Sequence, residues 1–327
     1  MINRDNWLDV KAYLRFQREI KQLDEETVQA QWSRLRHLME WADKDAFDRS
    51  GRIRPTFPAY AERLTGPQGK PLAASHLAAI FKTTRNFYLW AKEEYPSRYR
   101  KIDQSFLQSL RPSRDRSEAS ELITRKLYTL EDVRRLVSVS VETEALRRAQ
   151  AGTAFLFLSG MRIGAFVTLP LKCVDLAQRQ IYQVPAMGVH TKNSKAAITY
   201  LLNIPDLLDV AEAWDRRVRR VLPPEGFWYA PLDRFGKLAP VETKGKRENL
   251  RSSFRDELQR LCELAGVEYL SPHKLRHGFS VYALKRATTP AQMKAISQNL
   301  MHANMGITDG IYARMVGNDV KDIISSL

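Results

Sequence analysis

Six residues of this 327-residue chain, Arg162, Lys192, His273, Arg276, His302 and Tyr312, are of types that suit one chemistry when taken together. A tyrosine oxygen that attacks a phosphodiester creates a five-coordinate state with extra negative charge. Two arginines can neutralise its non-bridging oxygens with planar, forked donors, and a histidine can add a further hydrogen bond. A lysine can protonate the departing oxygen. Free tyrosine has a pKa of ~10, so little of it is phenolate at neutral pH. A cationic pocket would therefore stabilise the transition state and also ease proton loss from Tyr312. His273 is a base candidate for that proton. No carboxylate cluster of metal-ligand spacing accompanies the set, which predicts side-chain charge stabilisation with no metal and no other cofactor.

Each residue alone has a plainer reading. Arg162 lies in Leu158-Ser159-Gly160-Met161-Arg162-Ile163-Gly164-Ala165, among apolar neighbours, where an arginine commonly pairs with a carboxylate. Lys192 falls at the tip of an expected hairpin, where lysines are usually just solvated, and Lys195 is an alternative to it. His273 and Arg276 sit in Ser271-Pro272-His273-Lys274-Leu275-Arg276-His277-Gly278. Ser271 fits an N-cap and Pro272 the first helical position. The spacing then puts His273 and Arg276 on one face of the first turns, where free amides favour an anion. A surface helix start bearing two basic residues is the ordinary alternative, and His277 competes with His273. Tyrosines such as Tyr312 are more often core residues than nucleophiles.

The elements that must position these groups are mostly helical. Asp24 reads as an N-cap, followed by Val28, Trp32, Leu35, Met39 and Ala42 at helical spacing. Trp7, Val10, Leu14 and Ile20 outline an earlier helix. A later helix with Ser75 as its cap carries Leu77, Ile80, Phe81, Phe87, Tyr88 and Ala91 and stops before Pro96. Pro55, Pro58, Pro67 and Pro71 break the stretch between them. Residues 1–112 are therefore expected to form an all-helical domain. Residues 113–126 are polar and charged and read as a linker. Residues 127–327 form the second domain. It opens on Thr129-Leu130-Glu131-Asp132, a capping box with Asp in the Glu position. The apolar run Ala145–Ser159 reads as a helix ended by Gly160 in the left-handed conformation. Strands are expected at 181–184 and 197–204, with helices near 207–221, 248–265, 272–286, 290–301 and 318–326. The fold class is mainly α with a small antiparallel β element.

The charge points to a polyanionic partner, most simply nucleic acid. Lys and Arg number 52 against 37 Asp and Glu, a net charge of +15. Residues 1–113 hold 20 basic and 14 acidic side chains, and residues 114–327 hold 32 and 23, so both halves are basic. An elongated polyanion gripped from two sides suits that distribution. Apolar residues at 44% can fill real cores, which excludes a disordered chain. No run approaches the ~18 apolar residues of a membrane span. Met1–Trp7 lacks the basic-then-apolar pattern of a signal peptide. Two cysteines cannot build a disulfide framework, and a cytoplasmic, nucleoid-associated location is expected.

The blocks Gly160-Met161-Arg162-Ile163-Gly164, Thr191-Lys192, His273-Lys274-Leu275-Arg276-His277, Met301-His302 and Ile311-Tyr312 resemble the tyrosine recombinase (phage integrase) family. The order Arg, Lys, His-x-x-Arg, His, Tyr matches that family's catalytic set. The opening Lys126–Val133 resembles the start of its catalytic domain. The helical first domain resembles its core-binding domain, with Lys82 and Arg85 as DNA-contacting candidates. The resemblance implies that Tyr312 attacks the scissile phosphate to give a 3′-phosphotyrosine and a free 5′-hydroxyl. Arg162, Arg276 and His302 would clamp the phosphate. Lys192 would be the general acid, and His273 would support proton transfer. It also implies a homo-tetramer, or an assembly paired with a related recombinase, holding two duplexes and exchanging strands through a Holliday junction. Residues Asp319–Leu327 would dock on a neighbouring protomer.

Three departures stand out: Ala165 where the family often has Glu, Met301 where a glycine usually precedes the second histidine, and a His302-to-Tyr312 gap one residue longer than the commonest. The helical bundle starts almost at Met1, which predicts no further arm-binding domain and a site of two inverted elements around a short spacer. Mobile-element recombination fits that layout, and so does Xer-type resolution of replicon dimers. A type IB topoisomerase-like nicking enzyme and a binding-only DNA protein are the remaining alternatives. The complete set of six argues against the latter.

Overall fold

In a computed structural model, residues 2–66, 69–113, 126–238 and 247–301 are described. The chain divides into two compact units, Met1–Ile123 and Thr124–Leu327. The expected linker 113–126 lies largely outside the described residues, as does the helix expected at 318–326.

The first unit is helical. Helix α1 (Arg4–Glu19) is capped by Asn3, whose side chain accepts from the Asp5 and Asn6 amides. Helix α2 (Glu25–Ala42) is capped by Asp24, which accepts from the Thr27 amide. A short α3 (Phe57–Ala61) follows, then the long α4 (Ala74–Glu94) and α5 (Gln104–Ser109). Tyr13, Leu35, Leu38, Phe81, Phe87 and Tyr88 share one buried core. Their helical spacing is what turns the apolar faces inward. Ser75 is not a cap. The His76 and Leu77 amides already donate to the Ala73 carbonyl, so the free amides lie ahead of Ser75 and Ala73 takes the cap position.

The second unit is built around one buried helix. Helix α6 (Leu130–Ser138) starts on a complete capping box between Thr129 and Asp132. Helix α7 (Glu144–Ser159) is buried at every position from Arg148 onward. Helix α8 (Ile163–Phe166) is a single turn directly after it. Three short antiparallel strands follow in the order β1 (Val174–Asp175), β2 (Gln180–Gln183) and β3 (Ala197–Tyr200). Strand β1 was not expected, because two residues carry no readable periodicity. Strand β3 ends four residues early. The Leu201 amide still donates to the Arg179 carbonyl in the β2 register, but the Leu202 amide turns to the Leu158 carbonyl, which takes the chain out of the ladder. Helices α9 (Pro205–Arg219), α10 (Arg247–Ala265), α11 (His273–Leu284) and α12 (Pro290–Asn299) complete the unit. Among the described residues, no helix is long and apolar enough to cross a membrane.

Two glycines set the approach of α11 to α7. Gly160 ends α7 at φ +64°, and a Cβ there would lie 2.7 Å from Phe279 and 2.8 Å from Leu300. A Cβ on Gly278 would fall 2.1 Å from the Tyr128 carbonyl oxygen, which is backbone and cannot give way. Helix α11 is thereby held close against the end of α7, and the candidate site residues Arg162, His273 and Arg276 lie near that junction.

Candidate active site

Arg162 is the residue just before α8, at φ −76° and ψ 139°, two residues past the left-handed Gly160. It is half-buried, and burial pushes its guanidinium below the ordinary arginine range. Arg276 lies in the second turn of α11 and is only 5% exposed. Its Nη1 donates to the Gly160 carbonyl at 2.6 Å, and its Nη2 donates to the Leu300 carbonyl at 2.5 Å. Burial, then the charge of Arg162, pushes this guanidinium down to about 9. The two arginines therefore share a field, and no carboxylate among the described residues is a cause of either shift. Among the described residues Arg162 is not half of an ion pair. Two of the five N–H donors of Arg276 are used on carbonyls, which leaves the fork able to take an anion as well.

His273 is the first residue of α11. Its pKa is lowered, first by burial and then by the charges of Arg276, Arg162 and Lys274. At pH 7 it is neutral and able to accept a proton. Its ring meets His277 edge-on at 4.7 Å. The expected cap is shifted by one residue: Pro272 occupies it, and no side chain caps the helix. The Lys274 amide donates to the Ser271 carbonyl and the Leu275 amide to that of Pro272, so the first turn is tight and leaves the Ser271 hydroxyl out of capping.

Lys192 is exposed and lies in a short 3₁₀ turn (Lys192–Ser194), not at the tip of a tight hairpin. The connection from β2 to β3 spans 184–196 and is braced internally. The Thr191 hydroxyl donates to the Lys195 carbonyl at 2.7 Å. The His190 amide donates to the Thr168 hydroxyl at 2.8 Å, and that hydroxyl lies 3.2 Å from the Gly164 and Ala165 carbonyls. The root of the Lys192 loop is thus tied to the turn that follows Arg162.

The structure brings Arg162, His273 and Arg276 together. His302 and Tyr312 lie outside the described residues. Met301, the last described residue, adopts φ +53°, the left-handed region that favours glycine. The departure noted at this position is therefore a methionine in a glycine's conformation. In the first unit, Lys82 is exposed, as a DNA contact requires. Arg85 is half-buried. Its Nε donates to the Leu107 carbonyl at 3.1 Å and its Nη2 to the Leu110 carbonyl at 2.6 Å, at the carboxy-terminal end of α5, where cations are favoured. Thr168 and Asn299 were missed. A threonine after an apolar stretch and an asparagine near a helix end carry no signal of long-range bonding.

Comparisons with known proteins bear on the family and the fold. The model of the phage integrase family matches residues 126–317, more than half of the chain. The tyrosine recombinase XerC of Escherichia coli (strain K12 / DH10B) is 21% identical over 318 residues, covering 94% of this chain and 91% of that protein. XerC of Yersinia pestis is 23% identical over 195 residues, covering 58% and 55%. Among solved structures, a lambda integrase dimer bound to a COC′ core site matches with a TM-score of 0.64 at 13% identity, covering 97% of each chain. The Tn1549 transposon integrase in complex with circular intermediate DNA matches with a TM-score of 0.62 at 14% identity, covering 97% and 99%. The chain belongs to the phage integrase family and is a tyrosine-type, site-specific DNA recombinase.

Proposed function

We propose that this recombinase cuts and rejoins duplex DNA through a 3′-phosphotyrosine at Tyr312, in the service of a mobile element. The Tyr312 oxygen bonds to phosphorus as the bond to the 5′ oxygen breaks. The phenol proton passes to neutral His273, and Lys192 delivers a proton to the departing 5′ oxygen. Arg162, Arg276 and His302 hold the non-bridging oxygens as charge builds on them. The phosphotyrosine conserves the diester, so a 5′-hydroxyl can reverse the step without ATP. Four protomers on two duplexes, each with two inverted elements, exchange strands through a Holliday junction. The first unit grips the DNA with Lys82 on its exposed face, and the second unit cuts. The reaction takes place in the cytoplasm, on the nucleoid.

The observation that carries this reading is the pair of guanidiniums, half-buried Arg162 and buried Arg276, in one field with no carboxylate among the described residues as a cause of either shift. Such a pocket is completed by an anion with several oxygens, and a phosphodiester is one. A second reading, resolution of replicon dimers, is favoured by the length of the match to XerC.

The test uses a duplex built from sequence flanking the gene and nicked near the cleavage point, so that the covalent complex cannot religate. Wild-type protein should form a covalent protein–DNA band, and Tyr312→Phe should form none. A band that persists in the variant would place the nucleophile elsewhere. Cleavage at the ends of a mobile element, against cleavage at a site on a circular replicon, separates the two readings.

A further inference from the structure

Strand β3 lies at the edge of its sheet, and its outer side faces α12 through one side chain. The Asn299 Oδ1 accepts from the Tyr200 amide at 2.7 Å, and its Nδ2 donates to the Tyr200 carbonyl at 3.1 Å. One asparagine thus supplies both groups that a neighbouring strand would offer. The same Nδ2 lies 3.3 Å from the Ser159 carbonyl, at the end of α7 and three residues before Arg162. The Asn299 carbonyl accepts from the Thr199 hydroxyl at 3.4 Å, and that hydroxyl accepts from Gln183 at 2.6 Å. Gln183 and Ala197 are paired across β2 and β3 and form the two feet of the connection that bears Lys192.

We infer that Asn299 is a positioning residue for Lys192: it pins the strand that leads out of the Lys192 loop to the turn that leads into Arg162. Lys192 is exposed and sits on a 13-residue connection, so its reach is set by where the feet of that connection stand. The Thr168 hydroxyl holds one side of the loop, at His190. Asn299 holds the other, through Tyr200 and Thr199. Without it, the edge strand keeps its ladder to β2 but loses this tie between sheet and α12. The lysine would then be misplaced relative to a phosphate held by Arg162 and Arg276. A shift of about 1 Å at a reacting group is enough to cost ~100-fold in rate.

This inference rests on Lys192 acting as the general acid, and the experiment keeps the two apart. Two versions of the nicked duplex are compared at the phosphate that wild-type protein cleaves. One has the natural 5′ oxygen, and the other has sulfur in its place. A thiolate leaves without a proton, since thiols have a pKa near ~8.5, so cleavage of the sulfur duplex needs no general acid. Asn299→Ala should cleave the natural duplex at least tenfold more slowly than wild type. It should cleave the sulfur duplex at close to the wild-type rate, as Lys192→Ala should. Asn299→Asp keeps the size and the acceptor but cannot donate to Ser159 or Tyr200, and it should lose at least as much on the natural duplex. In Asn299→Ala the Tyr200 amide should also exchange with solvent at least tenfold faster, because its bonding partner is gone. An equal loss on both duplexes would mean a general structural role and would overturn the inference. An unchanged rate on the natural duplex would do the same. If Lys192→Ala is not rescued by sulfur, the general acid lies elsewhere and the reading beneath the inference fails. Wild-type protein that cleaves neither duplex would overturn the recombinase mechanism and this inference with it.

Discussion

Two arginines in the second unit are almost equally buried, Arg148 at 4% and Arg276 at 5% exposure, yet they are set up for opposite ends. Arg148 is answered by a carboxylate. Its guanidinium bonds Glu257 and the Ala230 carbonyl, and it lies 4.3 Å from the centre of the Tyr229 ring, whose hydroxyl also donates to Glu257. Burial raises the Glu257 pKa, and Arg148 acts against that rise. Arg276 has two carbonyls and another cation for company. A buried charge is expensive unless it is paired. The first arrangement is closed and stitches α7 to α10 and to the 229–230 segment. The second meets no carboxylate among the described residues, and two of its five donors are used on carbonyls. The difference separates an arginine that builds the fold from one that, in the proposed mechanism, holds the phosphate.

The sharpest way to break this contrast is to delete each guanidinium. Arg276→Ala should lower covalent complex formation on the nicked duplex by at least ~10³-fold, the scale for losing a donor to a developing oxyanion. Its thermal stability should change little, because the lost carbonyl bonds are offset by relief of an unpaired buried charge. A large fall in Tm with cleavage retained in the folded fraction would make Arg276 structural. Arg148→Ala should show the reverse. It strands Glu257 in the interior and should cost about 3–5 kcal/mol in chemical denaturation. Protein kept folded at low temperature should still form the covalent complex.

A smaller effect probes the shared field. The His273 pKa is depressed in the folded protein, so the ring is neutral above its ordinary value of ~6.5 and protonates only below it. Arg162→Ala removes one of the cations responsible and should move the His273 midpoint upward in an NMR titration. A midpoint that stays put would show that Arg162 and His273 do not share a pocket. The smallest effect concerns the turn beyond Leu300. Met301→Gly should stabilise the protein by about 1 kcal/mol, because glycine holds φ +53° without the strain that a Cβ adds. A loss of stability would mean that the methionine side chain contributes more than its backbone costs.

The helices were largely legible from spacing and caps. Asp24, the Thr129–Asp132 box and Gly160 mark ends that depend on a few adjacent residues, and local bonds settle them. The caps at Ser75 and Ser271 were misread, because tight turns of backbone bonding at Ala73 and Ser271 moved the helix starts by one or two residues. Of the candidate site, Arg162, His273 and Arg276 were singled out by type and order, and all three lie in one field. The bonds of Arg85 to the Leu107 and Leu110 carbonyls were not legible, because a basic residue on a helix face looks the same in sequence whether it faces solvent or the carbonyls of another helix.

What the sequence determined by itself is therefore the chemistry: the order of the charged blocks, the tyrosine, and the helical periods that carry them. These are properties of residue type and near-neighbour spacing. Only the tertiary structure decided which arginine is paired and which is left open. Arg148 finds Glu257 across 109 positions, and Arg276 finds the Gly160 carbonyl across 116. It also decided that Asn299 closes the edge of β3, across 99 positions. Hydrogen bonds of such span depend on how whole helices pack, and no local pattern encodes the partner.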